Sequence, residues 1–537
     1  MKKKKWLFLT MLALAVMLVC AGCGGNDAPV GNDTEPPAAA GDGETAARDS
    51  LVIVEPNEWL GMDLLQTAYY TSMQTLVADP ILMLAEDGSI QPCLASAYSV
   101  SEDGKTITLT IPEGLRFATG EPLLPEDVKA SLEHGLEVSP VNTDYAAIQS
   151  IEVDGNDVIL YLDEYSASVL FYLTWQYVTV IDKDQITEMS DDELLWSAVP
   201  YGLYTLDEFV PGSHASLKPN PYYSTLYPGV TNKGPAPVEN VTVKFMTDDF
   251  SIVQGLKAGE IDVAFQVSFD NLVEFEDNDE FIISYNDPAF SVYTVLNNDN
   301  EFFADDRVCE AVMAIIDREQ MTEWTAMYKP SYSHVLENMM GFDQDIYDYF
   351  QTTYCNDPER AQQLLADAGF ADTNGDGYLD RDGKTLEFTA IFYYAKAAQA
   401  AEILQIQFKE AGIKMNIEQM EYSLWADATA NENYDMAIGL YGSDFGGGAT
   451  ITARVRDTNI LTQEQTEQFY DYVDQSGRTV DSVESAKLLA EAQRILIDSK
   501  RIFPLCQVRM ASVYRSGIEG IQFLSTQGGV VMINDVK

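Results

Sequence analysis

The chain of 537 residues carries 85 acidic side chains against 32 basic ones, a formal charge of −53. A surface of that sign repels phosphate backbones and anionic lipid headgroups, which excludes nucleic-acid partners and membrane attachment through basic patches. The length is sufficient for two or three domains with cores of their own.

Residues 1–23 read as a secretory signal. Lys2, Lys3, Lys4 and Lys5 supply the charged start, and residues 6–19 an apolar run too short to span a bilayer with ease. Loss of those four lysines takes the charge from −53 to −57. Cys20-Ala21-Gly22-Cys23 resembles a lipobox, with Cys20 where an aliphatic residue is usual. The resemblance implies that Cys23 is acylated and becomes the mature N-terminus, held at the outer face of the cell membrane by two acyl chains. Residues 24–50 mix Gly, Ala, Pro, Asn and acids without apolar period. They read as a flexible tether that would span roughly 30 Å.

The globular elements follow in order. Residues 51–59 begin as a buried strand and end in a loop after Pro56 that carries Trp59. Residues 68–84 read as a helix running into a hairpin region. Asp103-Gly104 lies between two alternating runs, Tyr98 and Val100 before it and Ile107, Leu109 and Ile111 after it, which predicts a β-hairpin. A helix starts at Pro125, with Glu126 and Asp127 in its first turn and Val128, Leu132 and Leu136 on one face. Leu124, just ahead of it, is a poor N-cap. Residues 153–162 turn at Asp154-Gly155-Asn156-Asp157 as another hairpin, 166–175 read as an apolar helix, and two strands meet at Pro211-Gly212. Residues 240–264 read as strand, helix and strand. A strand at 292–298 leads to a helix at 306–318. Helices at 357–368, 397–411 and 482–496, with strands at 415–420 and 434–441, complete the pattern.

Residues 91–136 resemble the signature of extracytoplasmic solute-binding proteins of the peptide/nickel class, which feed ABC importers. Pro92, Leu94, Ala95, Ser101, Asp103, Gly104, Gly114, Phe117, Gly120, Pro122, Asp127 and Val128 stand in the signature's order, while Ala97 and Ile111 depart from it. Further matches are Gly202, Tyr204, Asn220, Pro221 and Tyr223, then Leu256 with Gly259, Glu260, Ile261 and Asp262, then Asp305, Arg307, Val308, Asp317, Arg318 and Glu319. The likeness runs from about residue 51 to 520.

It implies an α/β, three-lobed periplasmic-binding-protein-like fold, two main lobes joined by hinge strands and an extra inserted lobe. Lobe I would comprise 51–72, 195–296 and 509–537, lobe II 73–194, and lobe III 297–508. Strands near 292–296 and 506–513 would be the hinges, and lobe closure would enclose the ligand. The implied function is capture of short peptides and delivery to the permease subunits of an ABC transporter, without covalent chemistry. The same scaffold serves oligosaccharide or metal-chelate capture and peptide-signal sensing, so the scaffold alone leaves those readings open.

In oligopeptide-binding relatives an aromatic strand end, followed three residues later by an aspartate, grips the peptide's α-ammonium group. Tyr441 and Asp444 fall on those positions, and Trp425 resembles an upstream tryptophan that walls the pocket. Trp59 on the early loop is a further contact candidate, with packing in the core as the equal alternative. Residues 425–448 contain no arginine, so a ligand carboxylate would need another group such as Arg454 or Arg456. The plain alternative is a strand-end loop with a solvated aspartate.

No G-x-S-x-G, H-E-x-x-H, P-loop or G-x-G-x-x-G pattern occurs, and His134, His214 and His334 lie far apart, so neither an enzyme nor a required cofactor is expected. Asp372, Asn374, Asp376 and Asp380 match the opening positions of an EF-hand-like Ca2+ loop. Gly383 replaces the closing glutamate of that motif, and an ordinary Asp/Gly-rich loop is the other reading. Cys93, Cys309, Cys355 and Cys506 lack CxxC spacing and allow three pairings or free thiols.

Overall fold

A computed structural model describes residues 48–69, 71–141, 146–442, 446–455, 460–525 and 529–537. Three sheets organise them, one per lobe. In the first, strand Ser50–Glu55 lies between Asn240–Phe245 and Val263–Ala264 and runs parallel to both. His214–Pro219 and Tyr204–Val210 extend one side of this sheet, Met510–Arg515 and Phe281–Asn286 the other. Helix Asp249–Ala258 joins the two strands that flank Ser50–Glu55, and it stops at Gly259, whose φ of 76° suits a residue without Cβ.

The second lobe holds an antiparallel sheet in the order Ala97–Val100, Thr106–Thr110, Asp157–Leu162, Ile148–Asp154. The Asp103-Gly104 hairpin forms as its pattern predicts. Asp103 Oδ1 accepts from Ser101 Oγ at 2.7 Å and from the Lys105 amide at 3.1 Å, which closes the turn. Helix Pro125–Val138 has no side-chain cap from Leu124. Instead Asp127 reaches back, and its carboxylate accepts the Leu124 amide at 2.7 Å and the Lys183 amide at 3.0 Å. One residue thus supplies the reverse half of a capping box and ties the helix to the next segment.

The third sheet runs Tyr328–Pro330, Ile502–Val508, Phe290–Leu296, Met436–Gly442, Glu387–Phe392, Lys414–Gln419. Its faces are covered by two separate buried clusters, one around helices Asp306–Ile315 and Ala395–Glu410, the other around Gly447–Val455 and Ser482–Asp498. The chain crosses from the first sheet to this one at residues 287–289 and returns at Arg509. Phe290–Leu296 therefore belongs to the third lobe's sheet, and the crossing precedes the expected boundary at 297. The two crossings are bound together: Arg509 Nε donates to Asp287 Oδ1 at 2.8 Å, and Gln507 Nε2 donates to the Asp287 carbonyl oxygen at 2.8 Å.

Residues 68–84 do not form the expected helix. Asp63 caps a single turn, Leu64–Thr67, which ends at Ala68 with φ 44°. A short 3-10 turn at Gln74–Leu76 and a strand at Leu82–Leu84 follow. Their backbone bonds go to other segments, Asp79 N to Tyr201 O at 2.7 Å and Leu82 N to Leu173 O at 2.9 Å. Almost every side chain here is buried, so burial all round replaces the one-sided burial that a surface helix needs. Cys93, Cys309, Cys355 and Cys506 are free thiols.

Candidate interlobe binding site

Tyr441 stands near the end of strand Met436–Gly442, half-buried and paired in register with Ser291. Trp425 lies on helix Tyr422–Ala430 of the same lobe. Its ring is 4.7 Å from that of Tyr393 and 6.5 Å from that of Tyr422, and Tyr393 meets Tyr394 at 5.6 Å. The Trp425 indole nitrogen is buried without a hydrogen-bond acceptor among the described residues. Tyr422 and Tyr394 are 62% and 43% exposed, so the aromatic group ends at the lobe surface. Sequence reading missed these three tyrosines. The Tyr393-Tyr394 pair directly after strand Glu387–Phe392 was the available signal. Asp444, the expected ammonium anchor, and Arg456 lie outside the described residues.

Arg454, on helix Gly447–Val455, is fully buried. Its guanidinium donates to His334 Nδ1 and Ser291 Oγ and lies 5.0 Å from the centre of the Tyr293 ring. Burial lowers its pKa to about 10, and burial followed by the Arg454 charge pushes His334 well below the usual histidine range. No carboxylate among the described residues pairs with Arg454. Lys396, at the start of helix Ala395–Glu410, is half-buried with its ammonium 6.0 Å from the Phe290 ring, and burial lowers its pKa.

Trp59 is placed elsewhere. It is 2% exposed in the core of the first lobe, packs on Phe245 at 6.4 Å, and donates its indole N–H to Glu55 Oε1 at 2.7 Å. A ligand contact at Trp59 would require opening that core.

Residues 446–449 line a cleft of about 670 Å3 between the second and third lobes. The second lobe contributes Tyr98, Tyr165 and Phe171, and the third Met340, Val473 and Leu489. Gly447 is a close-packing position, since a Cβ there would come within 2.6 Å of the Met340 carbonyl oxygen.

The loop containing Asp372, Asn374, Asp376 and Asp380 is held by its own amides. Asp372 accepts from the Gly375 and Gly377 amides at 2.7 and 3.0 Å, and Asp380 from the Thr373 amide and hydroxyl. No group of three or more His, Cys, Asp or Glu among the described residues is arranged to hold a metal. If the loop takes Ca2+, excess Ca2+ will raise the melting temperature above that in EDTA, by linkage. Equal values would leave it as a hydrogen-bonded turn. The histidines share no site: His134 bonds Asp63 at 2.8 Å, His214 bonds Ser213 at 2.9 Å, and His334 bonds Arg454.

Residues 89–460 match the profile of bacterial extracellular solute-binding proteins, family 5 Middle. The chain is 23% identical over 459 residues to the oligopeptide-binding protein AppA of Bacillus subtilis, covering 81% of this chain and 80% of AppA. Among solved structures, NikA from Brucella suis, in complex with Fe(III)-EDTA, superposes with a TM-score of 0.75 at 20% identity over 91% of this chain and 99% of NikA. AppA from Bacillus subtilis in complex with a nonapeptide superposes with a TM-score of 0.60 at 19% identity over 89% of this chain and 97% of AppA.

Proposed function

Because the chain belongs to the bacterial extracellular solute-binding proteins of family 5, substrate-binding components of ABC transporters, we propose that it captures short peptides outside the cell and delivers them to a membrane permease. The observation that carries this reading is the cleft between the second and third lobes. Its size lies within the range of pockets that enclose small organic ligands. Asp444 would hold the peptide ammonium, Tyr441 and Trp425 would wall it, and lobe closure about residues 287–289 and 509 would trap it. Mass spectrometry of solute co-purified with the protein tests the reading. Peptides are the expected cargo, and a sugar or a metal complex would overturn it.

A second reading is capture of a metal chelate. The likeness to NikA with its bound Fe(III)-EDTA favours it, and an incoming chelate would bring its own metal ligands. A scaffold used for sensing would hold the same peptide without uptake, and loss of uptake on deleting the protein would argue for delivery.

Anchoring through Cys23 is part of the proposal. Two acyl chains give stable membrane attachment where one would be marginal. Cys23→Ser is expected to move the mature protein from the membrane fraction into the soluble fraction. Unchanged partitioning would remove the lipid anchor.

A further inference from the structure

Resting on the reading that solute is captured in the interlobe cleft, we propose that the cleft takes an uncharged, apolar group, an aromatic or aliphatic side chain of the bound peptide. Of the described side chains that line it, only Glu164, Asp474 and Arg478 carry charge. All three sit at the mouth, with their side chains 53–58% exposed, and Arg478 is shared by both carboxylates, at 3.3 Å from Glu164 and 2.9 Å from Asp474. An anionic ligand group would meet two acids and one cation already engaged by both. Among the described residues, a cationic group would find a carboxylate only at Glu164 and Asp474.

The inner wall offers Tyr165, Leu170, Phe171 and Leu489, each less than a tenth exposed, together with serine hydroxyls from both lobes. Such a wall compensates no buried charge, and moving an unpaired charge into it is unfavourable. Apolar surface entering the same space gains hydrophobic free energy.

The experiment uses two fluorescent probes of nearly one shape, uncharged N-phenylnaphthylamine and anionic anilinonaphthalene sulfonate. They are titrated into the full-length protein and into Ala449→Trp and Ser168→Trp. Both altered positions are exposed and lie on opposite walls of the cleft, so a tryptophan fills the space without entering a core. The uncharged probe should bind at least about tenfold more tightly than the sulfonate, and each tryptophan should weaken it at least about tenfold. Equal affinity for the two probes, no binding of the uncharged one, or binding untouched by both substitutions would overturn the proposal. Circular dichroism and melting confirm that each variant is folded. Peptides ending in Phe should displace the probe better than those ending in Asp. If the probe binds as expected and no peptide displaces it, the apolar cleft stands and the peptide reading alone falls.

Discussion

Asp444→Asn is expected to weaken binding of a free-amine peptide by about one to two decades, the worth of a charge-assisted hydrogen bond of roughly 1.5–3 kcal/mol. The position follows Tyr441, near the end of strand Met436–Gly442, by three residues in the sequence. Asparagine keeps the size and one acceptor and removes the charge, which isolates the ionic term. Calorimetry on N-acetylated and free peptides supplies the matching change on the ligand. The wild type should bind the free form and reject the acetylated one, and the variant should lose that preference. Equal binding of both forms by the wild type, or a variant that binds as the wild type does, would take the anchor away from Asp444.

The second large effect concerns stability and pH. Glu55 and Asp79 are 1% and 7% exposed. Burial raises both carboxyls to about 7, Glu55 against hydrogen bonds from Thr71, Trp59 and Met73, Asp79 against one from Tyr223. Their unfolded values are those of ordinary carboxyls, 4.5 and 3.8. Between those values and 7 the folded chain holds protons that the unfolded chain has released. Their stabilising contribution is therefore complete below about pH 4 and is lost as pH rises to about 7.

Glu55→Gln removes one titration and keeps an acceptor for the Trp59 indole and the Thr71 hydroxyl, both at 2.7 Å. Relative to this variant, the wild type should lose on the order of 2–3 kcal/mol of unfolding free energy between about pH 4 and about pH 8. Urea unfolding followed by tryptophan fluorescence measures the difference directly. A difference that stays constant with pH would mean that burial does not shift Glu55. The comparison matters because every other carboxylate on this acidic chain cancels between the two proteins.

What residue order by itself determined is local. Asp103-Gly104 closes its hairpin because Asp103 accepts from the side chain and amide next to it, within five residues of sequence. Asp357 caps helix Pro358–Asp367 through the Arg360 amide at 2.9 Å, as Asp-Pro-Glu predicts. The family signature was legible for the same reason, since its turns and caps are short-range and fixed in spacing. Tyr441 and Trp425 were readable as aromatic positions on neighbouring elements, and they do share one aromatic and apolar cluster.

What only the tertiary structure decided depends on distant partners. Trp59 on its early loop read as equally suited to packing or to ligand contact, and Glu55, Phe245 and the first sheet decide for packing. Residues 68–84 have helical spacing, but Tyr201 and Leu173 claim their backbone, and burial on all sides removes the exposed face that would sustain a helix. The cleft joins Tyr165 and Ser168 to Ala449 and Leu489, positions that no periodicity links. Arg454 gave no sign in sequence of being buried among Ser291, Tyr293 and His334. Spacing fixes what one element can present, whereas burial and charge pairing arise only where elements from different lobes and layers meet.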